Sequence, residues 1–225
     1  IYPYSIEGTV LLRNFNFKDL GILFDAQLMF KEHIFNAINK AFKIYGFIYR
    51  NCRNFTNLTI LNTLFCSLVR PHLEYGALIW YPIYRTYNMS IEKVQRRFLK
   101  FLAFRMDGAY PVRGIDYNIL LNRFQFSSLE TRRMLTVLRF LYKLAHGKID
   151  CPFILGSLRF NVPRPGLRYA PLFKLSYSRT NVAVKAPVAV LMSTYNVLCQ
   201  DCDLHHDSIN SILNHARAAL SVVES

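Results

Sequence analysis

Acidic residues are scarce in this chain. It carries 14 Asp and Glu against 28 Lys and Arg, a formal charge of +14. That balance favours a polyanionic partner, nucleic acid first and an anionic membrane surface second, with an inert basic surface as the alternative. Cysteines are few and odd in number, five in all, at positions 52, 66, 151, 199 and 202. Such scatter excludes a disulfide framework and points to a reducing, intracellular compartment, cytoplasm or nucleus. Long apolar runs are lacking too. The longest, residues 58–82, is cut by Arg70, His72 and Glu74, which makes it a poor membrane span. No signal peptide is visible in these residues, nor any glycine-rich phosphate loop, HExxH, internal repeat or low-complexity tract. The first residue is Ile1, not Met, and the chain is expected to be a piece of something longer.

What is present argues for a packed core. Hydrophobic residues make up 52% and aromatics 15% of 225 residues, which excludes disorder and suits one large domain or two small ones. The expected class is mainly α, with a small β-element at the N-terminus. Residues 1–25 alternate in the manner of strands: Tyr2, Tyr4 and Ile6, a turn at Gly8, then Thr9-Val10-Leu11-Leu12. A second extended stretch follows at residues 15–25, with Gly21 allowing close backbone approach.

Helices account for most of the rest. Over 31–53, Ile34, Ile38, Ala41, Tyr45 and Ile48 share one stripe, and Lys40, Lys43, Phe47 and Arg50 share another. Those cations either track phosphates or form a solvated face. Asn57 is placed to cap the next helix. Residues 58–80 hold the only tryptophan, and their apolar spacing through Leu64, Leu68 and the neighbouring Phe65, then Leu73, Ala77 and Trp80, predicts two helical segments bent at Pro71. This element is expected to lie at the centre. Residues 108–117 read as a loop. A helix over 127–146 is signed by a Ser127/Glu130 capping box and by Gly147 at its end, with apolar stripe Met134, Leu138, Leu141 and Ala145. Arg132, Arg133 and Arg139 fall outside that stripe. A short helical turn opens at Pro152. Residues 161–172 are expected to be an extended loop, through Pro163, Pro165, Gly166 and Pro171, with Arg164 and Arg168 adding charge. Two final helices cover 187–198 and 208–220.

The most charged helix spans 89–105. Ile91, Val94, Phe98, Phe101 and Leu102 follow its apolar stripe, and Lys93, Arg96, Arg97 and Lys100 recur at +3, +4 and +7 along another face. Glu92 is the only acid nearby. Like charges at these spacings repel by a few tenths of a kcal/mol per pair, so a counter-charge is expected. A phosphate backbone would supply it; a solvated face is the other reading.

The order of several short pieces carries more information than any one of them. These are Lys18-Asp19-Leu20-Gly21, Phe30 with His33, Gly46-Phe47-Ile48, and Leu68-Val69-Arg70-Pro71 followed by Leu73-Glu74-Tyr75 and Trp80-Tyr81-Pro82. Ile91-Glu92-Lys93-Val94-Gln95-Arg96-Arg97-Phe98, Ser128-Leu129-Glu130-Thr131-Arg132-Arg133 and Tyr142-Lys143-Leu144 come after them. The series resembles the downstream part of the reverse transcriptase of non-LTR retrotransposons of the jockey type. The resemblance implies palm-edge strands with a primer-grip turn over 1–25, a thumb over 26–107 and a post-thumb region over 108–225. It implies contacts from Lys18, Leu20 and Gly21 to a primer end, and from Lys93, Arg96, Arg97, Lys100, Arg132 and Arg133 to an RNA or RNA–DNA duplex. In such enzymes paired aspartates hold two divalent metal ions, Mg for nucleotidyl transfer. No Asp-Asp pair occurs here, and Asp19 and Asp25 are isolated. The chain is therefore expected to hold no cofactor, to be non-catalytic alone, and to partner a palm and fingers from the same polyprotein. A decayed remnant or a basic interaction module is the alternative, and attachment to a membrane surface through the basic helices a third. Cys199, Cys202 and His205 also invite a zinc reading, though their spacing matches neither a knuckle nor a finger.

Overall fold

A computed structural model describes residues 4–10, 14–52, 54–162 and 171–224. Tyr2, Leu11, Leu12, Pro163, Arg164, Pro165, Gly166 and Arg168, used above, lie outside the described residues. The chain is mainly helical, with two small antiparallel sheets at its N-terminus. Strand β1 (Ser5–Ile6) pairs with β2 (Thr9–Val10), and β3 (Asn16–Asp19) with β4 (Ile22–Asp25). Helices α1 (Lys31–Asn51), α2 (Leu58–Leu64), α3 (Arg70–Glu74), α4 (Arg85–Asp107) and α5 (Tyr117–Phe124) follow. Then come α6 (Leu129–Ala145), α7 (Pro152–Ser157), α8 (Asn181–Val184), α9 (Pro187–Leu198) and α10 (Ile209–Glu224).

Helix α1 buries the expected stripe, Ile34, Ile38, Ala41, Tyr45 and Ile48, mainly against α4 and α3. The central element departs from expectation in two ways. Phe65 and Leu73 are buried as expected, but with Leu61 and Val69, while the expected Leu68 is exposed. The four buried residues recur at steps of four, which outrun the 3.6-residue period by about 0.4 residue each. A wide π-turn over Phe65–Val69, closed by Arg70 N–H donating to the Phe65 carbonyl, takes up that excess just ahead of Pro71. The helix also stops at Glu74, well short of residue 80. Tyr75 is extended and Gly76 takes a left-handed φ of 65°. A side chain at Gly76 would strike Ile22 Cδ1 at 2.6 Å, so the turn needs glycine for space as well as for φ.

Two hydrophobic cores result. The first runs from Ile22 to Leu129 and is centred on the stacked rings of Phe65 and Phe98, 4.1 Å apart. It reaches beyond α4 to Leu120 and Leu121 of α5, a helix that follows the expected 108–117 loop and had no counterpart in the sequence reading; Asp116 Oδ1 caps it by accepting from the Asn118 amide. The second core joins α6, α9 and α10 with Leu158 and Phe173. The seam passes through adjacent residues, since Trp80 is buried in the first core and Tyr81 in the second.

Both ends of α6 are well made. Its N-cap is Ser128, not Ser127, with the hydroxyl accepting from the Thr131 amide at 3.0 Å, and Glu130 carries its carboxylate to Asn88. At the far end, Lys148 N–H donates to Lys143 and Gly147 N–H to Leu144, with Gly147 at φ 64°, the paired closure expected of a glycine stop.

The β3–β4 hairpin is held from outside. Tyr75 donates its hydroxyl to the Leu20 carbonyl at 2.7 Å, and the Leu23 amide donates to His33 Nδ1 at 3.2 Å. The second bond requires an unprotonated Nδ1. Burial, helped by Lys40, pulls the His33 imidazole below its ordinary value. A depressed histidine contributes stability that is full above the unfolded value, about 6.5, and is lost as pH falls through the folded one. The wild type should therefore lose stability below about pH 6.5 more steeply than His33→Gln. Thermal unfolding across pH checks this; parallel curves would disprove it.

Candidate nucleic-acid interface

An open cleft of about 1550 Å³ lies at the seam between the two cores. One wall is the charged face of α4. Lys93, Arg96, Arg97 and Lys100 all line it. Lys93 and Arg97 are exposed, while Arg96 and Lys100 are half-buried. None of the four makes an ion pair among the described residues. Their local contacts are with carbonyls and rings: Arg96 donates to the Ile115 carbonyl and lies 6.0 Å from the Tyr117 ring, and Arg97 lies 5.9 Å from Phe42.

Glu92, the nearby acid, is used inward. Its carboxylate accepts from the amides of Leu129 at 3.2 Å and Glu130 at 2.7 Å and from the Tyr117 hydroxyl at 2.8 Å. It thereby sits on the first turn of α6, where negative charge is favoured. Arg133 stands 3.9 Å away and is only 2% exposed. Burial pushes the Glu92 carboxyl up, with Arg133, Tyr117 and the two amides pulling against it. Burial likewise pulls the Arg133 guanidinium down, against Glu92. Arg133 donates Nη2 to Asn88, and its Nε and Nη1 have no hydrogen-bond partner among the described residues. Glu92 and Glu130 line the cleft as well, but the Glu92 carboxylate is spent on α6, Tyr117 and Arg133 and pairs with none of the four α4 cations.

Two cations of this cleft escaped the sequence reading. Arg85 lies at its rim, on a first turn of α4 that begins four residues earlier than expected. Lys185 arrives from the end of α8 and sits 5.4 Å over the Tyr81 ring. Nothing in the sequence around Lys185 marks it, because only the second core brings it beside α4.

Other expected site residues lie elsewhere. Lys18, Leu20 and Gly21 belong to the β3–β4 hairpin and are not part of the cleft. Leu20 is 82% exposed at φ 43°, followed by Gly21 at φ 87°, a tight two-residue turn that rarely carries leucine. Arg132 is bound through Nε and Nη2 to Glu74, so its charge is met within the protein. The residues present do not fit the paired metal ions that the resemblance implies. Asp25 spends its carboxylate on the amides of Gln27, Met29 and Phe30, and no group of three candidate metal ligands stands together among the described residues. Cys199, Cys202 and His205 line a smaller cleft of about 500 Å³. The Cys199 thiol is pushed up to about 12, first by burial, which disfavours the thiolate a metal would need. Among the described residues no helix is long and apolar enough to cross a membrane.

Comparison with known proteins adds little chemistry. No family model matches the chain, and no solved structure does. An uncharacterized protein of Caenorhabditis elegans is 28% identical over 134 residues, 60% of this chain. The chain covers 65% of that relative's own length.

Proposed function

We propose that this chain is a non-catalytic, nucleic-acid-holding part of an RNA-directed DNA polymerase, the thumb and post-thumb region of a non-LTR, jockey-type reverse transcriptase. It grips a template–primer duplex through the basic face of α4 and works with a palm and fingers from the same polyprotein. The observation that carries the reading is the α4 ladder: four cations in the wall of an open cleft with no carboxylate partner among the described residues. Mutual repulsion along such a row is relieved by an external polyanion, and phosphate contacts of this kind position a duplex without reading its sequence. The ordered motifs from Lys18 to Leu144 supply the link to the polymerase family.

The test is binding of a labelled RNA–DNA hybrid by the full chain, titrated across salt. Replacing Lys93, Arg96, Arg97 and Lys100 together by alanine should reduce the slope of log K against log salt by about 3, at roughly 0.7 to 0.9 per phosphate contact. Because Arg96 also holds the Ile115 carbonyl, the Lys93/Arg97/Lys100 triple variant is the cleaner protein and should reduce it by about 2 to 3. An unchanged slope would remove α4 from the interface, and no binding at low salt would leave a basic interaction module.

A further inference from the structure

The cationic row of α4 does not end in a plain polar loop. Just before its first turn stands Tyr84, 40% exposed and on the rim of the same cleft. Its ring is braced edge-to-face by Tyr87 at 5.6 Å, and Tyr87 is braced in turn by Phe35 of α1 at 6.1 Å. Tyr87 of α4, backed by Phe35 of α1, thus braces the Tyr84 ring where it lines the cleft. Neither core requires this: Tyr84 belongs to no buried cluster, and it lies in the extended residue that precedes α4. Arg85 follows it directly, and the exposed Met89 shares the rim.

An exposed, braced aromatic ring at the head of a phosphate-binding row has a specific chemical use. Every nucleobase presents a π-face, and a base that is not paired gains by stacking on such a ring. Paired bases inside a duplex are already stacked and cannot reach it. At 1.5 Å per residue, Tyr84 to Lys100 spans about 24 Å, and the ring and the cations line one cleft. We infer that Tyr84 is a stacking site for an unpaired nucleobase at the mouth of the cleft, next to the phosphates held by α4. This rests on the nucleic-acid reading of that cleft and adds to it a single-stranded segment leaving the duplex at this end.

The test uses the full chain with two RNA–DNA hybrids of equal duplex length, one blunt and one with a short single-stranded overhang. The first unpaired base of the overhang is 2-aminopurine, whose fluorescence falls when it stacks. The overhang hybrid should bind more tightly than the blunt one, and binding should quench the probe. Tyr84→Ala should weaken overhang binding about 5- to 150-fold, the worth of one stacked base, and abolish the quench while leaving blunt binding unchanged. Tyr84→Phe keeps the ring and should behave as wild type. Equal loss for both hybrids, or an overhang that gains nothing, overturns the stacking site while the duplex-holding reading stands. Failure of the wild type to bind either hybrid at low salt overturns both.

Discussion

Replacing Glu92 with alanine is expected to cost about 3 to 5 kcal/mol of folding stability. The side chain is 14% exposed, and it is the point where the two cores are tied electrically. Its carboxylate closes the first two amides of α6, takes the Tyr117 hydroxyl and faces the buried Arg133. Alanine would leave Arg133 inside the protein with Asn88 as its hydrogen-bonded partner and two donors already unmet. An uncompensated buried cation is the main cost, and the lost charge at the helix start adds about 0.3 to 1 kcal/mol. Removing both charges tests this account. Glu92→Leu combined with Arg133→Met should recover most of the loss, because the desolvation of the pair disappears with it. Urea unfolding of the two single variants and the double variant gives the coupling directly. If Glu92→Ala loses less than about 1 kcal/mol, the pair does not hold α6 to α4.

Trp80→Ala should be comparably severe, at about 3 to 5 kcal/mol. Trp80 is 1% exposed, donates its indole N–H to the Tyr75 carbonyl at 2.7 Å and packs 5.4 Å from the His33 ring. It therefore fixes the turn after α3, on which Tyr75 holds the β3–β4 hairpin and Gly76 admits Ile22. Trp80→Phe separates volume from hydrogen bonding. It keeps most of the apolar contact but strands the Tyr75 carbonyl, so a loss of about 1 to 3 kcal/mol is expected. Circular dichroism is the right probe, since the variants lack the only tryptophan. Equal losses in the two variants would show that the indole bond, not the packed volume, holds the turn.

Local patterns were the legible part of the fold. The α1 stripe, the Asn57 cap, the glycine stop after α6 and the final two helices follow from spacing and from end residues acting within a few positions of themselves. The same applies to the α4 cations, whose shared face is set by helical period alone. Errors appeared wherever a distant partner decided the outcome. The apolar residues at 77 and 80 are buried as their spacing suggested, yet by a turn rather than a helix, because Gly76 must let Ile22 in. Arg132 and Arg133 fall outside the α6 apolar stripe and were expected to face a duplex; Glu74 and Asn88, from other elements, hold them.

By itself, then, the sequence determined a mainly helical, strongly basic chain and the row of cations on α4. It did so because helical period and charge are properties of neighbours along the chain. Only the tertiary structure decided that Glu92 bonds to α6, that Tyr87, which braces Tyr84, is itself backed from α1, and that Arg85 and Lys185 join the row in one cleft. Those outcomes depend on which surfaces the two cores bury against each other, and no spacing within one segment encodes that.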